Sequence, residues 1–138
     1  VFNARTPRGR ADVMYVTSTS EALVLRVELG GNEAFVSNYV KEGMNVTGLN
    51  NPDNLEIDGF GNRYIIEDNG PGDIWVARSV QQPDRVAEDV VRFASLSDCS
   101  AEPTGLLYDP WRKVMWVNVQ HAGGALRNDL TIRIEPAR

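Results

Sequence analysis

The chain has 138 residues, 42% hydrophobic and 24% charged, which suits one globular domain or a piece of a larger one and excludes a disordered tail. A net charge of −5 and a pI near 4.8 exclude the basic footprint of a nucleic-acid or anionic-membrane surface and are compatible with binding cations. No apolar run approaches the roughly 20 residues of a transmembrane helix.

In chain order, residues 1–10 read as a loose N-terminal segment, made locally basic by Arg5, Arg8 and Arg10. Strands are expected at 12–18, rich in β-branched and aromatic residues, and at 22–29. In the second of these Leu23, Leu25, Val27 and Leu29 share one face, with Arg26 and Glu28 on the other. Further strands are expected at 34–40, 54–58, 63–67, 73–78, 106–109, 113–119 and 130–134, with 89–96 readable as strand or short helix. Helical periodicity is weak throughout, and its best candidate is 83–93. Many short strands between Gly, Pro, Asn and Asp clusters point to an all-β sandwich, barrel or propeller.

Internal repetition narrows the choice. Asp58 aligns with Asp109 at an offset of 51, which sets Tyr64-Ile65-Ile66 opposite Met115-Trp116-Val117 and Pro52 opposite Pro103. A further step back of about 50 residues from Tyr64 reaches Met14. Short strands repeating at this period mark β-propeller blades, here expected over 11–50, 51–100 and 101–138. Propellers close with about 4–8 blades. The chain is therefore expected to be part of a larger propeller, or to pair with other chains.

Three groups carry candidate chemistry. Asp53 and Asn54 lead into one inner strand, and Glu102 leads into the corresponding strand one repeat later. Oxygen-rich side chains converging from strand ends suit Ca²⁺, which takes 6–8 oxygen ligands; the bland alternative is ordinary turns. Glu67 and Asp68 close an apolar strand before Asn69-Gly70-Pro71-Gly72, with Glu67 expected inward and Asp68 capping the turn. This segment does not fit the EF-hand pattern. Gln120 and His121 follow the apolar strand 113–119, where an imidazole binds metal, holds a phosphate oxygen, serves as acid or base, or is simply a hydrogen-bonded turn residue. Cys99 is the single cysteine, so no internal disulfide forms, and its spacing from His121 gives no support to a thiol dyad. Asn45-Val46-Thr47 is a glycosylation sequon. Trp75, Trp111 and Trp116 read as packing residues, and no phosphate-binding glycine loop or nucleophile elbow is present.

The ordered motifs Pro52-Asp53-Asn54-Leu55 with Gly61-Asn62, Glu102-Pro103-Thr104-Gly105, and Val117-Asn118-Val119-Gln120-His121 resemble the closing part of the PhoX-type alkaline phosphatases over residues 51–134. The resemblance implies a secreted or periplasmic β-propeller that hydrolyses phosphate monoesters with calcium and iron near its central channel. It implies Asp53, Asn54, Glu102 and Glu67 as metal ligands, with His121 and Gln120 orienting or supporting the catalytic site. It also implies the remaining blades of the same parent protein, or other chains, as partners. Two departures stand out: Ala122 replaces the proline expected after the histidine, and Cys99 matches no metal-binding position of the family. A non-catalytic, calcium-stabilised propeller module and an assembly subunit are the alternatives.

Overall fold

The computed structural model describes residues 12–79, 85–123 and 129–136. The basic N-terminal residues Arg5, Arg8 and Arg10 lie outside the described residues, as do Pro83 and Asp84 of the helical candidate. Ten strands and no helix occur among the described residues. Hence no helix is long and apolar enough to cross a membrane among them.

The strands form three antiparallel meanders. The first sheet holds β1 (Asp12–Ser18), β2 (Leu23–Gly30) and β3 (Glu33–Lys41). The second holds β4 (Pro52–Ile57), β5 (Arg63–Glu67), β6 (Asp73–Ala77) and β7 (Val90–Ser95). The third holds β8 (Glu102–Asp109), β9 (Val114–Gln120) and β10 (Leu130–Ile134). The ambiguous segment 89–96 is thus a strand: Val90, Val91 and Phe93 favour the pleated conformation, and pairing with β6 satisfies its backbone.

The sheets stack face to face with the second in the middle. Tyr15, Val24, Tyr39 and Val40 of the first sheet pack on Ile65, Trp75 and Ala77 of the second. Tyr64, Ile66, Ile74 and Val76 on its opposite face pack on Leu106, Met115 and Val117 of the third. β5 and β6 are therefore apolar on both faces, as in a sheet covered on both sides. The stack is consistent with propeller-like blades.

Loop residues hold the sheets in place. Asn45 accepts from the Lys41 amide (2.9 Å) and donates to the carbonyls of Tyr39 (2.9 Å) and Ala87 (2.7 Å), tying the first sheet to the loop before β7. The sequon asparagine is thus committed to the fold.

The pairing bears out the two expected faces of β2 and decides which of them meets the second sheet. Tyr15 faces Arg26 and Val13 faces Glu28 across β1–β2, so the charged face of β2 lies on the side of the second sheet. Arg26 is only 4% exposed and is ion-paired with Glu28, whose carboxyl it holds below the usual range. The alternating apolar face, with Leu25 opposite Val16 and Val27 opposite Met14, points away from the second sheet. On it Val16, Leu29 and Val36 remain 40%, 40% and 53% exposed.

The pairing does correct the repeat. β4 and β8 are related by 51 residues, Pro52 to Pro103 and Ile57 to Tyr108, but β5 and β9 by 52. Ile57 pairs with Arg63 whereas Tyr108 pairs with Met115, so the turn between β8 and β9 is one residue longer. A slip of one residue exchanges the faces of a strand. Trp116, set opposite Ile65 by a uniform offset, is therefore 37% exposed where Ile65 is fully buried, and Val117 takes the buried place. Trp75 packs in the core as expected, but Trp111 is 91% exposed at the tip of that longer turn and packs no core.

Candidate strand-end site

Pro52 is the first residue of β4 and Pro103 the second of β8, and both rings are fully buried. Proline is tolerated at a strand start or beside a bulge, where a ladder amide is dispensable. A register irregularity follows each, between Pro52 and Asn54 and between Thr104 and Leu107. Such bulges bend the strand and re-aim its side chains. The Asn54 side-chain oxygen thereby accepts from the backbone N–H of Gly105, 3.3 Å away and one repeat further on. Gly105 has φ +55, and a Cβ there would sit 2.9 Å from the Asn118 side-chain nitrogen. Asp53 is exposed and accepts from the Asn54 amide. Its carbonyl accepts from Thr17 Oγ1 at 2.7 Å, and that of Pro52 from Thr19 Oγ1 at 3.0 Å. The ends of β1, β5 and β9 thus meet the starts of β4 and β8 at one end of the stack.

Glu67 closes β5 and is inward, at 2% exposed. One of its oxygens accepts from the Asn50 amide (2.7 Å) and the Trp75 indole N–H (2.8 Å), and the other from the Asp73 amide (3.1 Å). Burial pushes its carboxyl up, outweighing these donors. The side chain clasps two loops onto β6.

Asp68 does more than end the turn. Alternation puts it on the face of Tyr64 and Ile66, which meets the third sheet. Its carboxyl is near enough to Glu102, at the start of β8, to raise the pKa of that residue. Two carboxyl groups share a hydrogen bond only if one of them carries a proton. Glu102 is accordingly pushed up, first by burial and then by Asp68, with Gln120 and His121 acting in the opposite sense. Gln120 donates its side-chain amide to Glu102 Oε1. His121 follows at φ +59, exposed, its backbone N–H donating to Asp129 Oδ1 at 3.1 Å.

Of the six residues singled out from sequence, Glu102, Gln120 and His121 come together. Asp53 and Asn54 stand one strand away, bridged to them through Gly105. Glu67 lies behind, saturated by its own donors. Asp68 is the participant the sequence reading left in a turn, although alternation from Ile66 marks its face. Asp58 belongs to the other end: its oxygens accept from the amides of Phe60 (2.8 Å) and Asn62 (2.9 Å) in the β4–β5 turn. Cys99 is exposed and free.

The Glu102 shift has a measurable sign. Its folded-state pKa lies above the usual 4.5, so its contribution to stability is fully present below 4.5 and is lost as pH rises through the folded value. Glu102→Gln keeps a neutral partner for Asp68 at every pH. The variant should therefore exceed the parent in urea midpoint near neutrality and converge with it as the pH falls below 4.5. Parallel midpoints across that window would show the pair to be uncoupled.

Fold and site together define an all-β repeat protein whose polar end gathers acids and amides from separate sheets. The chain belongs to the alkaline phosphatase PhoX family, whose family model matches residues 9–123. Membership supports an alkaline phosphatase-like function at the level of the family. No curated protein and no solved structure matches the chain.

Proposed function

We propose that the chain forms part of a β-propeller that hydrolyses phosphate monoesters, with the strand-end cluster as one wall of a cation-dependent site. The observation that carries this reading is the approach of Asp68 and Glu102, carboxyl groups from two different sheets, beside Gln120 and His121. Two like charges held together are relieved by a proton or by a cation.

The donors fit calcium by type: carboxylates and amide oxygens, the hard ligands it takes. No group of three or more acid, histidine or cysteine side chains able to hold a metal occurs among the described residues. Asp68, Glu102, Asp53 and Asn54 would hold the ion together with donors from elsewhere. Iron fits these residues less well, because Cys99 is exposed on the loop before β8 and no other thiol exists in the chain. No step is assigned to iron.

A bound cation would supply charge neutralisation at the phosphate oxygens and a more acidic water. The chain's own residues bind and orient. Gln120 fixes the rotamer of Glu102 through its amide. The exposed imidazole of His121 offers a hydrogen bond to a phosphate oxygen or a proton to the leaving group. Glu67 supports from behind by fixing the loop that carries Asn50 and Asn51.

The partly exposed apolar face of the first sheet, where Val16, Leu29 and Val36 remain open, supports the propeller context, since the second and third sheets each bury the corresponding kind of face against a preceding sheet. Blades over 11–50, 51–100 and 101–138, and a secreted or periplasmic setting, belong to the same proposal. That face also favours a second reading, an assembly subunit that completes its ring with other chains.

Hydrolysis of p-nitrophenyl phosphate with calcium and with chelator tests the proposal. Turnover should be lost in chelator and reduced in Glu102→Gln. Saturating calcium should raise the melting temperature by roughly 5–10 °C, the effect of a ligand at about 100 times its Kd on a domain of this size. Stabilisation without turnover would leave a calcium-stabilised module, and neither effect would sink the cation site altogether.

A further inference from the structure

We propose that the cleft between the second and third sheets, at the hairpin-turn end, binds a quaternary ammonium group: a permanently charged, apolar cation such as the trimethylammonium head of choline. The cleft has a volume of about 360 Å³, within the usual range for small-molecule sites. It lies at the far end of β4 and β5 from the Glu102 cluster and is independent of the phosphatase reading.

Its walls are aromatic. Phe60 comes from the β4–β5 turn, Tyr64 from β5, Phe93 from β7 and Tyr108 from β8. Tyr64 is 7% exposed, and Phe60, at the rim, 73%. Phe93 stands edge-on to Tyr64, with centroids 5.2 Å apart and planes at 81°. Rings set at such an angle suit a rounded guest better than a flat one. Their faces carry the negative part of the ring quadrupole and attract a cation within about 6 Å.

Its buried charge is negative. Two carboxylates and one ammonium line the cleft, Asp58, Glu135 and Lys113, leaving one negative charge in excess. Glu135 is exposed and paired with Arg133 at 2.9 Å, and Lys113 is exposed, so water and salt screen both. Asp58 is 8% exposed and accepts only from neutral donors, so it keeps its full charge beside the rings. That charge is felt there: the Tyr64 hydroxyl is pushed up to about 12, first by burial and then by Asp58.

The bonding of Asp58 selects among cations. One oxygen accepts from the backbone amides of Phe60 and Asn62, at 2.8 and 2.9 Å. The other accepts from the Asn62 side-chain amide at 2.7 Å and the Tyr64 hydroxyl at 3.4 Å. A carboxylate offers about four acceptor positions, and here they are taken. A primary ammonium must satisfy its N–H groups and finds no acceptor left on Asp58. A quaternary ammonium has no N–H and needs only the charge and the ring faces.

The test titrates the full chain with choline, its neutral isostere 3,3-dimethylbutan-1-ol and the primary amine ethanolamine, followed by NMR at the methyl group of Met115, which lines the cleft. Saturable binding of choline is expected, with a Kd on the order of 1 mM, and both comparators should bind at least about tenfold more weakly. Phe60→Leu keeps apolar bulk but removes the ring; it should weaken choline about three- to fivefold and leave the isostere unchanged. Lys113→Gln removes an opposing charge and should tighten choline about twofold. Both positions are exposed, and circular dichroism checks that the variants keep their fold. Equal binding of choline and its isostere would reduce the cleft to an apolar hole and overturn the proposal. So would ethanolamine binding as tightly as choline, non-saturable choline binding, parent-like choline affinity in Phe60→Leu, or choline weakened by Lys113→Gln.

Discussion

Replacing Glu67 with alanine should lower the stability of the chain by about 4 kcal/mol, a large part of what a domain of this size possesses. The reason lies in its three donors. The amides of Asn50 and Asp73 and the indole of Trp75 all end on this one carboxylate, at 2.7, 3.1 and 2.8 Å. Its side chain is 2% exposed, so water cannot replace it without opening the loops. Each stranded buried donor costs roughly 1–3 kcal/mol. Glu67→Gln should cost only about 1–2 kcal/mol, because its oxygen keeps Asn50 and Trp75 while its amide nitrogen meets the Asp73 N–H. Urea unfolding of both variants beside Trp75→Phe checks the account. If alanine and glutamine cost the same, the donors are not what Glu67 contributes.

Gly72→Ala should cost about 3 kcal/mol, and here the cause is purely steric. A Cβ on Gly72 would lie 2.2 Å from Pro103 Cδ, 2.9 Å from its Cγ and 2.7 Å from the Asn69 carbonyl oxygen. The proline ring is fully buried and the carbonyl is backbone, so neither neighbour can swing aside. The β5–β6 turn would be forced off the start of β8, drawing Asp68 away from Glu102. The variant should therefore lose stability and also the pH dependence assigned to that pair. Gly43→Ala is the comparator, with φ +73 and nothing within 4 Å of the added carbon, and should show only the backbone cost of about 1 kcal/mol. Equal losses in the two variants would remove the steric account.

Much of the site's scaffold was legible locally. The motif Glu67-Asp68 after Tyr64-Ile65-Ile66 already places two acids at a strand end, and Pro52 and Pro103 mark two equivalent strand starts. The partners of those acids were not legible. Nothing near Glu67 in sequence names Trp75 or Asn50 as its donors, and nothing near Asp68 names Glu102. Asp53, Asp58, Glu67 and Asp68 lie within 16 consecutive residues, 53–68, yet the hairpin sends Asp58 to the opposite end of the stack from the other three.

The sequence by itself determined the all-β class, nine of the ten strands and the family. Runs such as Arg63–Glu67 and Leu130–Ile134 carry their strand character in β-branched and aromatic side chains, and Gly, Pro, Asn and Asp set the turns between them. These are local properties, written within a few residues. Only the tertiary structure decided which face of β2 meets the second sheet, that β9 stands one residue out of register with β5, and that Asp68 reaches Glu102. Alternation reports which side chains share a face, not what that face will meet. A single extra residue in the β8–β9 turn exchanges the faces of β9, and only packing against Tyr64 and Ile66 selects the register that buries Met115 and Val117.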